Sequence, residues 1–585
     1  MRTSKSTPDS PPPAYTSTSR SQPPPRIHVV QESTPLLYPN ARYTYIPPPN
    51  TTQSHYNPLL YRPLYLRPSP TIITRGRSNK TCRYTLLALL SLSILVAVFK
   101  TSFPFPPFHP PSLALPPEKA APVRIAIIGA GPAGVGAAWA LAELQGSEVE
   151  VVVVEREERV GGRMNLGVDL RLEGKMWGGQ RVEIEDVASA ELFADERGVV
   201  RRRAEGVLGL VFGEDKKKEG SEEVGFFDGG GFVVRMTRPG GLMGWKEWAG
   251  LVLKYGKSFL AARNVPTGTM GLFRGMVELG GKETFEGVEE WVQKAGLRDS
   301  VEMSARERLS VNGVGDAYRK DIIESQVRRQ LGQGTEEISD LALSLALWRE
   351  EIGGPRPKNG IKMETVLKQL LERSGAEVRL GTSLQSMKQE HVVGKKSPVW
   401  RLGFKGRGYG SEVFDKVILT TPWGEGETEY YRRVTNTFLI SEKGLKAEYF
   451  NVTNESDLPA QILPVRGSNL PEEFENIHEI SHVKNIFGPD VDFGAQSVFK
   501  MYKVLSDKPL SEQTMRSLWE RVRFYSVQSQ RAYPLLFPRN SGFGSFKVHE
   551  GVWNTATIEH VASSVDLSWA AGENVAKLIK QDIEE

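Results

Sequence analysis

The chain has 585 residues, 39% hydrophobic and 25% charged, with one cysteine and a formal net charge of +4. That composition supports a sizeable packed core, excludes a disulfide framework and carries no basic stripe of the kind that marks a nucleic-acid partner. The positive balance is local, because residues 1–83 carry eleven Lys and Arg against two acids, which leaves the remainder slightly acidic.

Residues 1–83 hold 16 of the 38 prolines and little periodic apolar pattern. They cannot bury enough surface to offset ordering entropy and read as a disordered cytosolic tail. Within it, Pro12-Pro13-Ala14-Tyr15 matches the PPxY pattern that docks as polyproline II in a WW-domain groove, a candidate recruitment site for a ubiquitin ligase. Tyr84 to Phe99 are uncharged between Arg83 and Lys100. As a helix they span roughly 24 Å, a short transmembrane signal anchor whose flanking cations snorkel. Arg75, Arg77, Lys80 and Arg83 precede the span, so the N-terminus is expected in the cytosol and the rest in a lumen of the secretory pathway, lysosome or vacuole. Cys82 sits at that membrane edge, as a palmitoylation site or an idle thiol. Residues 100–122 read as a Pro-rich spacer, and "NVTNES" offers glycosylation acceptors at Asn451 and Asn454, as a lumenal domain would.

From Val123 the pattern is strand, glycine turn and helix. In "IAIIGAGPAGVGAAWAL" Gly129 allows a tight turn, Gly131 lets the backbone approach a pyrophosphate, and Gly134 lets helix and strand pack closely. The helix from Pro132 to Leu144, with Ala133 in its first turn, offers amides and a positive dipole end to phosphates. The next strand, "VEVVVV", ends at Glu155, 26 residues after Gly129, where an acid can bind a ribose diol. Arg156, Gly161, Gly162 and Arg163 follow in "EREERVGGRM", and Gly179, Gln180 and Arg181 in "MWGGQRV". "FFDGGGFVV" reads as a hairpin turn, "METVLKQLLERSG" as an amphipathic helix before the strand "AEVRLG", and "SEVFDKVILTTPW" as a hairpin arm and a buried strand ending at Pro422. The chain closes on a helix over "HVASSVDLSWAAGENVAKLIKQDI". There is no second GxGxxG, which argues against a disulfide-reductase layout, and no metal site is expected.

The run "EREERVGGRM" resembles flavoprotein oxidases of the amine oxidase and phytoene desaturase kind, which implies FAD rather than NAD. The fold so implied is α/β with α+β insertions. It comprises a Rossmann-like FAD-binding domain of the amine oxidase type (about 123–190, 355–425 and 545–585) interleaved with a substrate domain (about 191–354 and 426–544). The resemblance also implies a backbone contact to the adenine at Val378, a cofactor-side position for Thr421 in "VILTTP", and a second cofactor contact near Glu559. Over about 124–585 the chain resembles the prenylcysteine oxidase (prenylcysteine lyase) family. The shared stretches are "FFDGGGFVV", "IIESQVRRQLGQGTEEISDLALSLAL", "YYRRVTNTFLI" and "TIEHVASSVDLSWAAGENVAKLI". It departs where Gln330-Leu331-Gly332-Gln333 replaces Asn-Tyr-Gly-Gln and where "KNGIKMETVL" replaces a glycine pair followed by Asn.

For such an enzyme the resemblance implies hydride removal from the allylic carbon beside sulfur, water addition, and collapse to a prenyl aldehyde and free cysteine. Dioxygen then reoxidises the flavin and leaves as hydrogen peroxide. A long apolar tunnel is expected for the prenyl chain. His560 is the candidate base toward water, with an ordinary hydrogen-bonded histidine as its other reading, and Arg181 is either a cofactor contact or a surface ion-pair partner. Two other functions fit the same residues: an amine or polyamine oxidase, and a membrane adaptor whose flavin domain is inactive.

Overall fold

A computed structural model describes residues 122–585, except 146–148, 165–169, 173–181, 185–194, 196, 213–222, 238–244, 353–362, 394, 396, 407, 409, 423–429, 468 and 490–495, together with the pair 44–45. The span expected at 84–99, all but the last residue of the spacer 100–122, and Pro12–Tyr15 lie outside the described residues. Among the described residues no helix is long and apolar enough to cross a membrane.

The first strand, β1 (Val123–Ile128), runs parallel to β2 (Val149–Val154), in register from Val123↔Val149 to Ile128↔Val154. Both are aliphatic on both faces because helices or a second layer cover them on both sides. The helix α1 (Pro132–Gln145) makes the crossover between them. Four further strands complete this six-stranded sheet: β3 (Glu377–Arg379), β4 (Lys416–Leu419), β5 (Lys547–His549) and β6 (Val552–Asn554), in the order β5-β6-β4-β1-β2-β3. All neighbours are parallel except the β5–β6 pair. The tip of β1 therefore lies at the centre of the sheet, with segments from three distant parts of the chain around it. β4 closes at Leu419 rather than at Pro422, because the Thr420 hydroxyl turns back to donate to the carbonyls of Ile128 and Gly129.

A second sheet is antiparallel but for one parallel contact, and is built around Tyr431–Leu445 and Trp519–Pro534. Gln496–Ser506, Ile477–Pro489 and Gln461–Pro464 extend it to the hairpin Glu223–Phe227/Phe232–Thr237, where the Asp228 carboxylate accepts from the amides of Gly230 and Gly231. On the other edge Thr44–Tyr45, inside the stretch read from sequence as a structureless tail, pairs antiparallel with Tyr525 and Phe524. Helices Glu324–Leu331 and Asp340–Ile352 share one apolar core with this sheet. The amphipathic pattern at 363–373 is a helix, and Ser411–Phe414 is an arm of a separate three-stranded sheet. Mixed α/β is thus the observed class.

The closing helix α2 (Val565–Glu584) begins after a short 3-10 turn, Ala556–His560, so Glu559 and His560 precede it. Along its first half it is almost wholly buried, because it lies directly against α1. A Cβ on Gly572 would stand 2.1 Å from the Ala133 carbonyl oxygen, and one on Gly136 would stand 2.6 Å from the Trp569 carbonyl oxygen. Each helix presents a glycine where the other presents backbone. Nothing flexible is available to yield there, so Gly572→Ala should cost about 1–3 kcal/mol through overpacking, read as a lower denaturant midpoint of the full-length protein. An unchanged midpoint would contradict the close crossing.

Candidate dinucleotide site

The glycine turn after β1 behaves as its residue types require. Gly129 has φ +112°, where a side chain is strained, and a Cβ there would sit 2.4 Å from the Thr420 hydroxyl oxygen. A Cβ on Gly134 would sit 2.0 Å from the Gly129 carbonyl oxygen, so α1 starts hard against the turn. Gly131 differs: a Cβ there would meet only the Cα of Gly162, at 3.8 Å, which leaves its outer side open for a ligand. Pro132 occupies the first position of α1 and Ala133 is buried beside it. The first-turn amides of a helix have no partner within the helix, so this end offers donors into the open space.

Glu155 stands at the end of β2 and is buried. Its Oε2 accepts from the Ala130 amide at 2.8 Å and its Oε1 from the Glu157 amide at 2.9 Å. Burial pushes its carboxyl above the usual range, partly offset by those amides. Each oxygen keeps lone-pair capacity for hydroxyl donors, which a ribose diol supplies. The backbone around it is closed on both sides: the Glu155 amide donates to the Arg379 carbonyl and its carbonyl accepts from the Thr382 amide. Val378 pairs with Val153 on the edge strand β3, one residue before that junction. The Gly161 amide donates to the Ala130 carbonyl, and Gly162, at φ +53°, brings its backbone against Gly131. Arg156 instead points outward, in an exposed ion pair with Glu157.

Arg163 opens a second cluster. Its guanidinium pairs with Glu559, donates to the Ala532 carbonyl at 3.1 Å and lies over the Tyr431 ring at 5.6 Å, while the Tyr431 hydroxyl donates to the other Glu559 oxygen at 2.7 Å. Burial opposes the charge on Arg163, but Glu559 outweighs it and holds the guanidinium firmly protonated. Arg163 and Glu559, both expected as cofactor contacts, therefore meet each other, and Tyr431 joins them to the second sheet. His560 follows, ring against the Tyr430 ring at 5.9 Å; burial, and then the Arg539 charge, lower its pKa, so it is neutral near pH 7. Thr421 sits exposed with its methyl toward Gly129, and it is its neighbour Thr420 that secures the turn. Gly179, Gln180 and Arg181 lie outside the described residues.

Beside this cluster a small cleft of about 20 Å³ is lined by Gln330, Leu331, Leu345, Tyr533, Leu536 and Ser563. That is about the room one water molecule needs, far short of the long tunnel expected from sequence. The departing pair Gln330-Leu331 falls on its wall, and the segment 330–333 has a structural use. Gln330 donates to the Glu350 carboxylate, which also pairs with Arg329. The Gln333 amide donates to the Pro534 carbonyl and accepts from the Leu536 amide, both at 2.9 Å, so it fixes the strand end that forms the cleft. Sequence reasoning missed Thr420, Tyr431 and Gln333. Only Thr420, adjacent to a strand end beside the glycine turn, left a local signal.

Fold and site together define a mixed α/β chain with a dinucleotide-type βαβ unit. A family model for an NAD(P)-binding Rossmann-like domain matches residues 127–183, and the prenylcysteine lyase family model matches 243–585, more than half of the chain. The chain belongs to the prenylcysteine lyase family. It is 23% identical over 490 residues to a farnesylcysteine lyase of Arabidopsis thaliana, covering 79% of this chain and 89% of that one. It is 25% identical over 485 residues to a prenylcysteine oxidase 1-like protein of Bos taurus, covering 78% and 90%. Among solved structures it is similar to a putative protoporphyrinogen oxidase of Exiguobacterium at TM-score 0.45 and 14% identity, covering 79% and 99% of the chains. It is similar to a cyclohexylamine oxidase of Brevibacterium oxydans at 0.42 and 13%, covering 79% and 100%.

Glu559→Gln strips the carboxylate from Arg163, whose side chain keeps 25% of its surface exposed. We expect a loss of about 1–3 kcal/mol in unfolding free energy, less than for a fully enclosed pair. The double change Arg163→Gln with Glu559→Gln should recover part of it in a denaturant double-mutant cycle. Additive losses would show that the pair is not coupled.

Proposed function

We propose that the protein is an FAD-dependent thioether oxidase that cleaves prenylcysteine to a prenyl aldehyde, free cysteine and hydrogen peroxide. The observation that carries this reading is the joint presence, in one chain, of the glycine cradle closed by Glu155 and of the prenylcysteine lyase match over 243–585. The residues that would hold the cofactor fit it by donor type: Gly131 leaves room for a diphosphate, the start of α1 supplies amides, and Glu155 supplies a carboxylate for sugar hydroxyls. A flavin bound there supplies two-electron acceptance from a C–H bond and delivery to dioxygen.

The chain's own part is orientation, exclusion of water and proton handling. A thioether with an allylic carbon beside sulfur stabilises the positive charge left by hydride loss, so the first step asks for no strong base. Leu331, Leu345 and Leu536 favour the prenyl chain by burial worth up to about 0.8 kcal/mol per CH₂. His560, neutral by virtue of burial and of Arg539, suits removal of a proton at a ring nitrogen from the water that attacks the carbon. The resulting hemithioacetal then breaks its C–S bond, leaving the thiol on cysteine and the aldehyde on the prenyl carbon. Because prenylcysteines partition into membranes, the same reading keeps Tyr84–Phe99 as an anchor with the oxidase on the lumenal side. Asn451 and Asn454, both exposed, remain available as glycosylation acceptors there.

Anaerobic addition of S-farnesylcysteine to the purified full-length protein should bleach a flavin absorbance band. Admitting air should restore the band with one equivalent each of hydrogen peroxide and aldehyde. Bleaching by a polyamine instead would replace this reading with an amine oxidase, and bleaching by neither would leave an inactive, adaptor-like domain.

A further inference from the structure

Beside His560 lies a cation with no anion paired to it among the described residues. Arg539 follows Leu536 of the cleft wall by three residues, and its amide is pinned to the Val301 carbonyl at 3.0 Å. Its guanidinium lies over the Phe537 ring at 4.2 Å and faces the Phe543 ring at 5.7 Å. Its Nε and Nη2 are buried and have no hydrogen-bond partner among the described residues. A buried donor left without an acceptor costs about 1–3 kcal/mol, and more when it is charged. A guanidinium wedged between rings is therefore a poor structural element unless something supplies the acceptor. The carboxylate next to His560, Glu559, is already engaged by Arg163 and Tyr431. The groups that sense the Arg539 charge are His560 and Tyr430. Tyr430 and Phe537 remain 46% and 39% exposed, so the cluster opens to solvent on one side.

We infer that Arg539 is the site for the α-carboxylate of the amino-acid head of the substrate, which it grips through Nε and Nη2. A planar carboxylate matches that edge of the guanidinium with two parallel hydrogen bonds. The inference rests on the prenylcysteine reading above and adds polarity to it. The charged head lies at Arg539 and His560, and the prenyl tail lies toward Leu331 and Leu345. Arg539 thereby becomes the residue that selects a free amino acid over a capped one. It fixes the position of the sulfur without taking part in bond cleavage.

The test compares S-farnesylcysteine with its methyl ester, which keeps the tail and thioether and loses the negative charge, on full-length wild type, Arg539→Gln and Arg539→Lys. For wild type we expect the acid to be favoured in kcat/KM. In Arg539→Gln the ratio of kcat/KM for acid to that for ester should fall about 10- to 100-fold, with the loss in KM for the acid; any change in kcat through His560 should be shared by both compounds, and Arg539→Lys should recover part of the loss. Turnover of the ester is the control that the variant folds and holds its cofactor. Equal losses on acid and ester, or a wild type indifferent to the ester group, would overturn the assignment. If wild type oxidises neither compound, the proposed reaction itself fails, and Arg539 is then judged by calorimetric binding of acid and ester to wild type and Arg539→Gln. A preference for the acid that vanishes in the variant sustains the site, and equal affinities remove it.

Discussion

The buried carboxylate of Glu155 is the fixed point of this molecule. It ties the Ala130 amide at the tip of the glycine turn to the end of the neighbouring strand. Everything around that tie is backbone against backbone: Gly134 under the Gly129 carbonyl, Gly162 against Gly131, and the Gly161 amide on the Ala130 carbonyl. Side chains have been removed from the places where a diphosphate must come close, and a single charge has been kept where sugar hydroxyls need an acceptor. The six-stranded sheet exists to hold β1 and β2 at that spacing, and its outer strands come from residues up to 400 positions away.

Such long-range assembly needs a lock, and α2 supplies it. The Gly136–Gly572 crossing lets the last helix lie directly on the first, and Asp566 in its opening turn accepts from the amides of Asp195 and Val200. Burial pushes the Asp566 carboxyl up to about 6, a measure of how fully this junction is enclosed. Just ahead of α2, Glu559 binds Arg163 from the dinucleotide half and Tyr431 from the second sheet. One carboxylate therefore registers the dinucleotide unit against the second sheet. The reaction proposed above asks mainly for relative position, which small motions of either part would spoil.

Local pattern revealed the cofactor half because its signals are short-range. Three glycines, a strand on either side and an acid 26 residues after the first are all set within one βαβ unit. The hairpin at 228–231 and the helix 363–373 were legible for the same reason. The substrate side was not. Tyr431, Gln333 and Arg539 acquire meaning only once strands a hundred or more residues apart are paired, as when Gln333 bonds Pro534 and Leu536. Arg163 and Glu559 were each expected as cofactor contacts, yet their partnership across 396 positions was invisible in the sequence. The departure at Gln330 and Leu331 falls on the cleft wall, while Gln333, which keeps the family residue, braces it.

The account stands or falls on the glycine cradle being a flavin dinucleotide site closed by Glu155. The direct measurement is titration of FAD into full-length protein stripped of cofactor, comparing wild type with Glu155→Gln, in which an NH₂ group would face one of the two backbone amides. We predict tight binding by wild type and an affinity about 10- to 100-fold weaker in the variant. Equal affinities, or no uptake of FAD by wild type, would contradict it.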